Sequence, residues 1–329
     1  MKQLLQQLTQ IPGPSGYEHQ IRDAIREMVA PYADEITTDA LGNLIVRKGK
    51  AGQGKRIMLA AHMDEIGVMV SHIDENGFAR FAPIGGVYPA YCIGGRVRFL
   101  NGHVGVINRE NTPDPNKIPS LDQFFIDLGG TDHGIKVGDV AAFDRTFADL
   151  GDRVVSKALD DRVGVAVLIS ALRQLENTPH EVYFVFSVQE EVGVRGATTA
   201  AFHIAPDVGI AVDVTGWGDT PKVPPMVDVA LGKGPAIKIR DSGMLADPRV
   251  VDWMISTAEK AKIPYQREVL LRGSTDARAI QLSRAGVPAG TISIPCRYVH
   301  SPSEMIDVRD AENAASLIVA LLSAEIPWA

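Results

Sequence analysis

Arg56-Ile57-Met58-Leu59-Ala60-Ala61-His62-Met63-Asp64 is the stretch on which the reading of this chain turns. Its unbroken apolar run predicts a strand buried on both faces, of the kind found inside parallel sheets. Residues i and i+2 of a strand point to the same side, so His62 and Asp64 stand together where the strand runs out. One of such a pair can ligate a metal while the other fixes the tautomer of the ring. Alone, a His-x-Asp is a weak signal. It gains weight because Asp160-Asp161, Glu190-Glu191, Asp213 and His300 follow, each near the end of a predicted strand or in a loop. Together these residues suffice for a two-metal hydrolase.

Outward from that strand, apolar spacing gives an interrupted α/β pattern. Leu4, Leu5, Leu8 and Ile11 recur at helical spacing up to the breaker Pro12-Gly13-Pro14, and Ile21, Ile25 and Met28 mark a second helix. Asn43 to Val46 reads as a strand before Arg56. The Gly49 to Lys55 turn between them superficially resembles a phosphate-binding loop, but Arg56 stands where Ser or Thr is needed and the turn precedes a strand, not a helix. From about Ile66 to Ser156 the chain changes to period-two runs, with hairpin signals at Asn76-Gly77 and Asn101-Gly102 and an irregular loop around 111–115. Helical and apolar-strand segments then resume: a helix over 163–175, strands at 182–188, 208–214, 236–239 and 289–294, and helices near 249–261, 277–285 and 311–322. The expected fold is α/β, with a mixed, largely parallel sheet flanked by helices and interrupted by a small β-barrel-like insert. Residues 1–67 and 157–329 form the discontinuous main domain, and 68–156 the insert.

Composition narrows the function. The chain has 329 residues, 45% of them hydrophobic, enough for a large core in two domains. A formal charge of -7 without a Lys/Arg block argues against nucleic acid and anionic membranes as partners. Nothing approaches the ~18 consecutive apolar residues of a membrane span, and the first residues lack the apolar core of a signal peptide. Cys92 and Cys296 are too few for a disulfide framework, so a cytoplasmic protein is expected.

Each acidic pair has an ordinary explanation. Asp160-Asp161 precedes an apolar helix and suits an N-cap. It also suits a carboxylate bridging two cations ~3.5–4 Å apart. Glu190-Glu191 follows a buried strand, where open α/β sheets bind ligands. There one carboxylate can ligate while its neighbour, its pKa raised by burial and like charge, accepts a proton. Asp213 interrupts an apolar strand and is costly to bury unpaired. The other six histidines have no carboxylates grouped around them in the sequence.

The ordered set resembles the M42 metallo-aminopeptidases, the tetrahedral-particle peptidases of the co-catalytic zinc clan. The resemblance rests on Ala60-Ala61-His62-Met63-Asp64-Glu65-Ile66-Gly67, Ala158-Leu159-Asp160-Asp161-Arg162, Glu190-Glu191-Val192-Gly193 and Pro295-Cys296-Arg297-Tyr298-Val299-His300-Ser301, and it runs over nearly the whole chain. One departure is Arg272-Gly273-Ser274-Thr275-Asp276, where many members carry a Gly-Gly pair. The resemblance implies that Asp160 bridges two divalent ions, with His62 and Asp213 completing one site and Glu191 and His300 the other. It implies Glu190 as general base and Asp64 as support for His62. Two His and three carboxylates suit Zn²⁺ or Co²⁺, then Mn²⁺. The implied activity is removal of the N-terminal residue from short peptides, by a homo-oligomer of dimers, commonly a dodecamer. Three alternatives stay open: a di-metal deacylase or carboxypeptidase on the same scaffold, a glycosidase, and a non-enzymatic metal-binding assembly protein.

Overall fold

The computed structural model describes residues 1–111, 114, 116–222 and 227–328. Thr112, Pro113 and Pro115 of the expected irregular loop lie outside the described residues. The strand Arg56–His62 sits at the centre of the larger sheet. Glu181–Ser187 lies parallel to it on one side and Val208–Thr215 on the other, followed by Ala289–Arg297, again parallel. The flanks are antiparallel: Leu44–Lys48 beside Glu181–Ser187, then Glu304–Asp307 and Arg153–Ser156 beyond Ala289–Arg297.

Alternation along the central strand explains the layers. Ile57, Leu59 and Ala61 face a large core shared with the helices Lys2–Gln10, His19–Val29, Leu159–Gln174 and Val308–Leu322. Met58 and Ala60 face the opposite core, which holds Ala200, Ala201 and Ile280 from the helices Arg195–Ile204 and Asp276–Gln281. Helix Leu159–Gln174 is buried along most of its length, which is why its sequence shows little amphipathic contrast. Arg162 on that helix is fully buried. Its Nε donates to Met63 O at 2.8 Å and its Nη1 to Leu8 O at 2.5 Å and Ile11 O at 2.9 Å, tying the end of the central strand to the first helix.

The insert closes on itself. Gly67–Ile73, Phe78–Ile84, Phe124–Asp127, Val104–Arg109, Arg96–Phe99 and Val140–Phe143 pair in that order, and the last returns to the first to complete a barrel. Val68, Val70, Val97, Phe99, Ile107, Phe124 and Ile126 fill it. Both Asn-Gly pairs form turns between adjacent strands. Gly77 has φ +84°, and a Cβ there would lie 1.9 Å from Gly130 O. Ala148–Asp149 and Arg153–Ser156, within the stretch read as insert, pair with the larger sheet instead, so barrel pairing ends at Phe143. So short a strand reads the same in either sheet, because its sequence does not identify the partner. Among the described residues no helix is long and apolar enough to cross a membrane.

Candidate metal centre

The acidic and imidazole side chains gather at the carboxyl ends of the parallel strands, where open α/β sheets place their ligands. His62 ends the central strand. The register pairing Ala60 with Ala211, carried two residues on, sets Asp213 beside it. Glu190 and Glu191 follow the strand that ends at Ser187, His300 follows the one that ends at Arg297, and Asp160 lies in the first turn of helix Leu159–Gln174.

Two triads result. One donor atom each from His62, Asp160 and Asp213 lie within 4.8 Å of one another, and so do donors from Asp160, Glu191 and His300. Asp160 belongs to both and divides its oxygens between them. Oδ1 is 3.0 Å from His62 Nε2, and Oδ2 is 3.3 Å from His300 Nε2. His62 Nε2 lies 4.0 Å from Asp213 Oδ1, and His300 Nε2 lies 3.3 Å from Glu191 Oε2. Glu190 is in neither triad, yet lines the same cavity.

Asp64 is fully buried behind this array. Its Oδ1 lies 3.5 Å from His62 Nδ1 and accepts the Glu190 N–H at 3.0 Å. Its Oδ2 accepts the Glu191 N–H at 3.2 Å and the Ser15 hydroxyl at 2.6 Å. Glu304 does the same work on the other side, accepting the N–H groups of Asp160 at 2.9 Å and His300 at 2.8 Å. His300 has φ +63°, an uncommon conformation for a residue with a side chain, and that bond helps to hold it. The barrel also reaches in. Gly86 O lies 3.0 Å from His300 Nδ1, and a Cβ on Gly86 would lie 2.4 Å from that nitrogen. Ser15, Glu304 and Gly86 escaped the sequence reading. The one available signal was Glu304 four residues after His300, and a lone Glu is too common to single out.

Electrostatics reflects a surplus of carboxylates. Burial drives Glu190, Glu191 and Asp213 above the ordinary carboxylate range, Glu190 and Asp213 furthest. Asp160 goes the other way: burial opposes its charge, but hydrogen bonds from His300 and His62 outweigh it. Burial likewise works against charged imidazoles, yet Asp160 and Asp64 hold His62 well above its ordinary value. Asp160 and Glu191 push His300 up to about 12. Two neutral imidazoles and three carboxylates, one shared, form a donor set that fits two divalent ions. Of the remaining histidines, His180 is buried with Nε2 2.9 Å from Ala324 O, a structural contact.

Beside the triads opens a cavity of about 730 Å³. Tyr88 and Tyr91 of the insert, with Trp217, Leu270, Arg272 and Ser274, are among the residues that line it. With the fold and this constellation in view, residues 42–317 match the M42 glutamyl aminopeptidase family. The chain belongs to the M42 family of peptidases. As an M42 member it is a hydrolase, and its similarities run end to end. It is 49% identical to a putative aminopeptidase of Acetivibrio thermocellus, with 97% of each chain covered. It is 39% identical to the lysyl aminopeptidase of Pyrococcus furiosus over 97% of this chain and 96% of the relative. Among solved structures, the TET1 peptidase of Pyrococcus horikoshii, which can assemble into a tetrahedron or a large octahedral shell, superposes with a TM-score of 0.87. It is 34% identical, over 97% of this chain and 98% of that one.

Proposed function

We propose that this M42 peptidase is a two-metal aminopeptidase that removes the N-terminal residue of short peptides. The observation that carries this is the sharing of Asp160 between two triads while the half-buried Glu190 stays outside both and lines the same cavity. A purely structural metal site has no use for such a free carboxylate. His62, Asp160 and Asp213 would hold one ion, and Asp160, Glu191 and His300 the other, with Zn²⁺ or Co²⁺ preferred and Mn²⁺ next. Divalent ions bound there supply Lewis-acid polarisation of the scissile carbonyl and acidification of water.

The chain's own residues do the rest. Glu190, its pKa raised by burial, takes a proton from the attacking water and returns it to the leaving amine. Asp64 positions it through the backbone N–H and fixes the His62 ring in the same stroke. The surrounding carboxylates suit the cationic α-amine of a peptide, which limits attack to the first bond.

The lysyl aminopeptidase of P. furiosus and the assembling TET1 peptidase support an aminopeptidase that works as a homo-oligomer, here a dodecamer. Exposed Ile93, Val104, Val106 and Ile118 in the insert offer it apolar contact surface. The free, buried Cys92 and Cys296 suit a reducing cytoplasm. The test is a panel of free and N-acetylated peptides, run on metal-stripped protein with Zn²⁺, Co²⁺ or Mn²⁺ restored. Metal-dependent release of the first residue from free peptides only is expected. Preference for blocked peptides, or release from the C-terminus, would replace this reading with a deacylase or carboxypeptidase.

A further inference from the structure

The backbone N–H groups of residues 188–191, which lead from the strand Glu181–Ser187 into the metal centre, all donate to side chains of distant segments. Val188 N–H donates to Asn43 Oδ1 at 3.0 Å and Gln189 N–H to Glu18 Oε1 at 3.1 Å, while those of Glu190 and Glu191 donate to Asp64. All three acceptor residues are buried. Asn43 also binds Gly196 O, and Asp64 also supports the His62 ring. Glu18 has neither task. It is an acid buried without an ion-pair partner among the described residues, and burial and the neighbouring Asp64 push its pKa up to about 7. A carboxylate is costly to keep in such a place.

Peptide geometry shows what Glu18 holds there. The peptide unit is planar, so the Gln189 N–H marks the plane before the Gln189 Cα and the Glu190 N–H the plane after it. Glu18 fixes the first plane and Asp64 the second. The bend between them is the φ and ψ of Gln189. That φ is +56°, the left-handed region that a residue with a side chain seldom adopts. The next residue is Glu190, whose side chain lines the cavity.

Glu18 is itself firmly seated. It precedes helix His19–Val29, which buries Ile21, Ile25 and Val29, and its Oε1 also accepts the Gly16 N–H at 2.7 Å. Gly16 has φ +86° in a turn closed by Tyr17 N–H to Pro14 O at 2.8 Å. Ser15 of the same turn donates to Asp64. One turn near the start of the chain thus braces both planes.

We propose that Glu18 is a positioning residue: through the Gln189 N–H it holds the bend that aims Glu190 into the cavity. This rests on the reading of Glu190 as general base and adds the group that sets its direction. A base must stay within hydrogen-bond reach of the proton it takes, and a misplacement of ~1 Å can cost about 10²-fold.

The experiment uses the metal-loaded, full-length protein and the free peptide that wild type cleaves fastest. Glu18→Met fills the same space without the acceptor, and Glu18→Gln keeps an acceptor oxygen without the charge. Each is made alone and in a Glu190→Gln background, with kcat normalised to folded protein. Glu18→Met should lower kcat about 10–100-fold, with KM nearly unchanged and about two metals per chain retained. Glu18→Gln should recover most of that loss. With Glu190 already replaced, Glu18→Met should change the residual kcat by less than about twofold, because the two residues act as one unit. An equal loss in both backgrounds, a kcat unmoved by Glu18→Met, loss of metal, or failure of both Glu18 variants to fold would overturn the positioning role and leave Glu190 as base. Near-normal turnover by Glu190→Gln alone would remove the base and this role together.

Discussion

The two triads share Asp160 and are otherwise built on different principles. His62 and Asp213 project from neighbouring parallel strands, and both are buried among residues of one sheet. Sheet hydrogen bonds set their spacing. Glu191 and His300 stand on loops, His300 is 24% exposed, and its ring is oriented by a carbonyl from the barrel. The first triad takes its geometry mainly from secondary structure, whereas the second takes it from a contact with the barrel. The barrel is therefore part of the centre's construction as well as its surroundings.

That contrast can be broken or sharpened by substitution. Glu190→Gln should have the largest effect. Turnover should fall about 10²–10⁴-fold, the range for a lost general base, while elemental analysis still finds about two metals per chain. Near-normal turnover would end its role as base and leave both triads intact. Gly86→Ala comes next. Gly86 does not have a positive φ, so the added methyl acts through its clash with the His300 ring. One metal equivalent should weaken by about 10–100-fold while the other holds, a split visible by titration calorimetry. Equal loss at both sites would erase the distinction drawn here.

Ser15→Ala tests the strand-built half. It removes one bond to Asp64 and leaves the Glu190 and Glu191 amides in place, so a stability loss of about 1 kcal/mol is expected from denaturant unfolding. The smallest signal is protonic. His62 and His300 both sit above their ordinary pKa in the metal-free protein, so each must release a proton to become a ligand. Metal loading near neutral pH should therefore release protons, and affinity should rise with pH. Calorimetry in buffers of different ionisation enthalpy reads both. No net release would mean that the rings are already neutral.

Much of this was legible in the chain itself, and the limits have physical reasons. The run from Ile57 to Ala61 marks a strand covered on both faces, and the carboxylates at strand ends mark where a site lies. Their division into two triads was not derivable from spacing, because residues about 240 apart, such as His62 and His300, meet only through the fold; the family resemblance supplied it. Glu304 and Ser15 carry no periodic signature, and Gly86 is one glycine among 31. Gln266–Val269 and Glu304–Asp307 are too short to show a period at all. Arg153–Ser156, also four residues, is likewise too short, so its sequence leaves open which of two sheets it joins.

Gly86 also bears on how freely the insert can be exchanged. Its carbonyl and its missing side chain meet His300 across the boundary between barrel and sheet. A chimera that grafts a foreign barrel between residues 66 and 157 would have to reproduce this one dipeptide, Gly85-Gly86, at the same depth. Without it, the transplant would keep His62 and Asp213 on their neighbouring strands and lose the contact that orients His300. Beyond this turn, the graft would also have to keep Arg153–Ser156, which pairs with the larger sheet, and Tyr88 and Tyr91, which line the cavity.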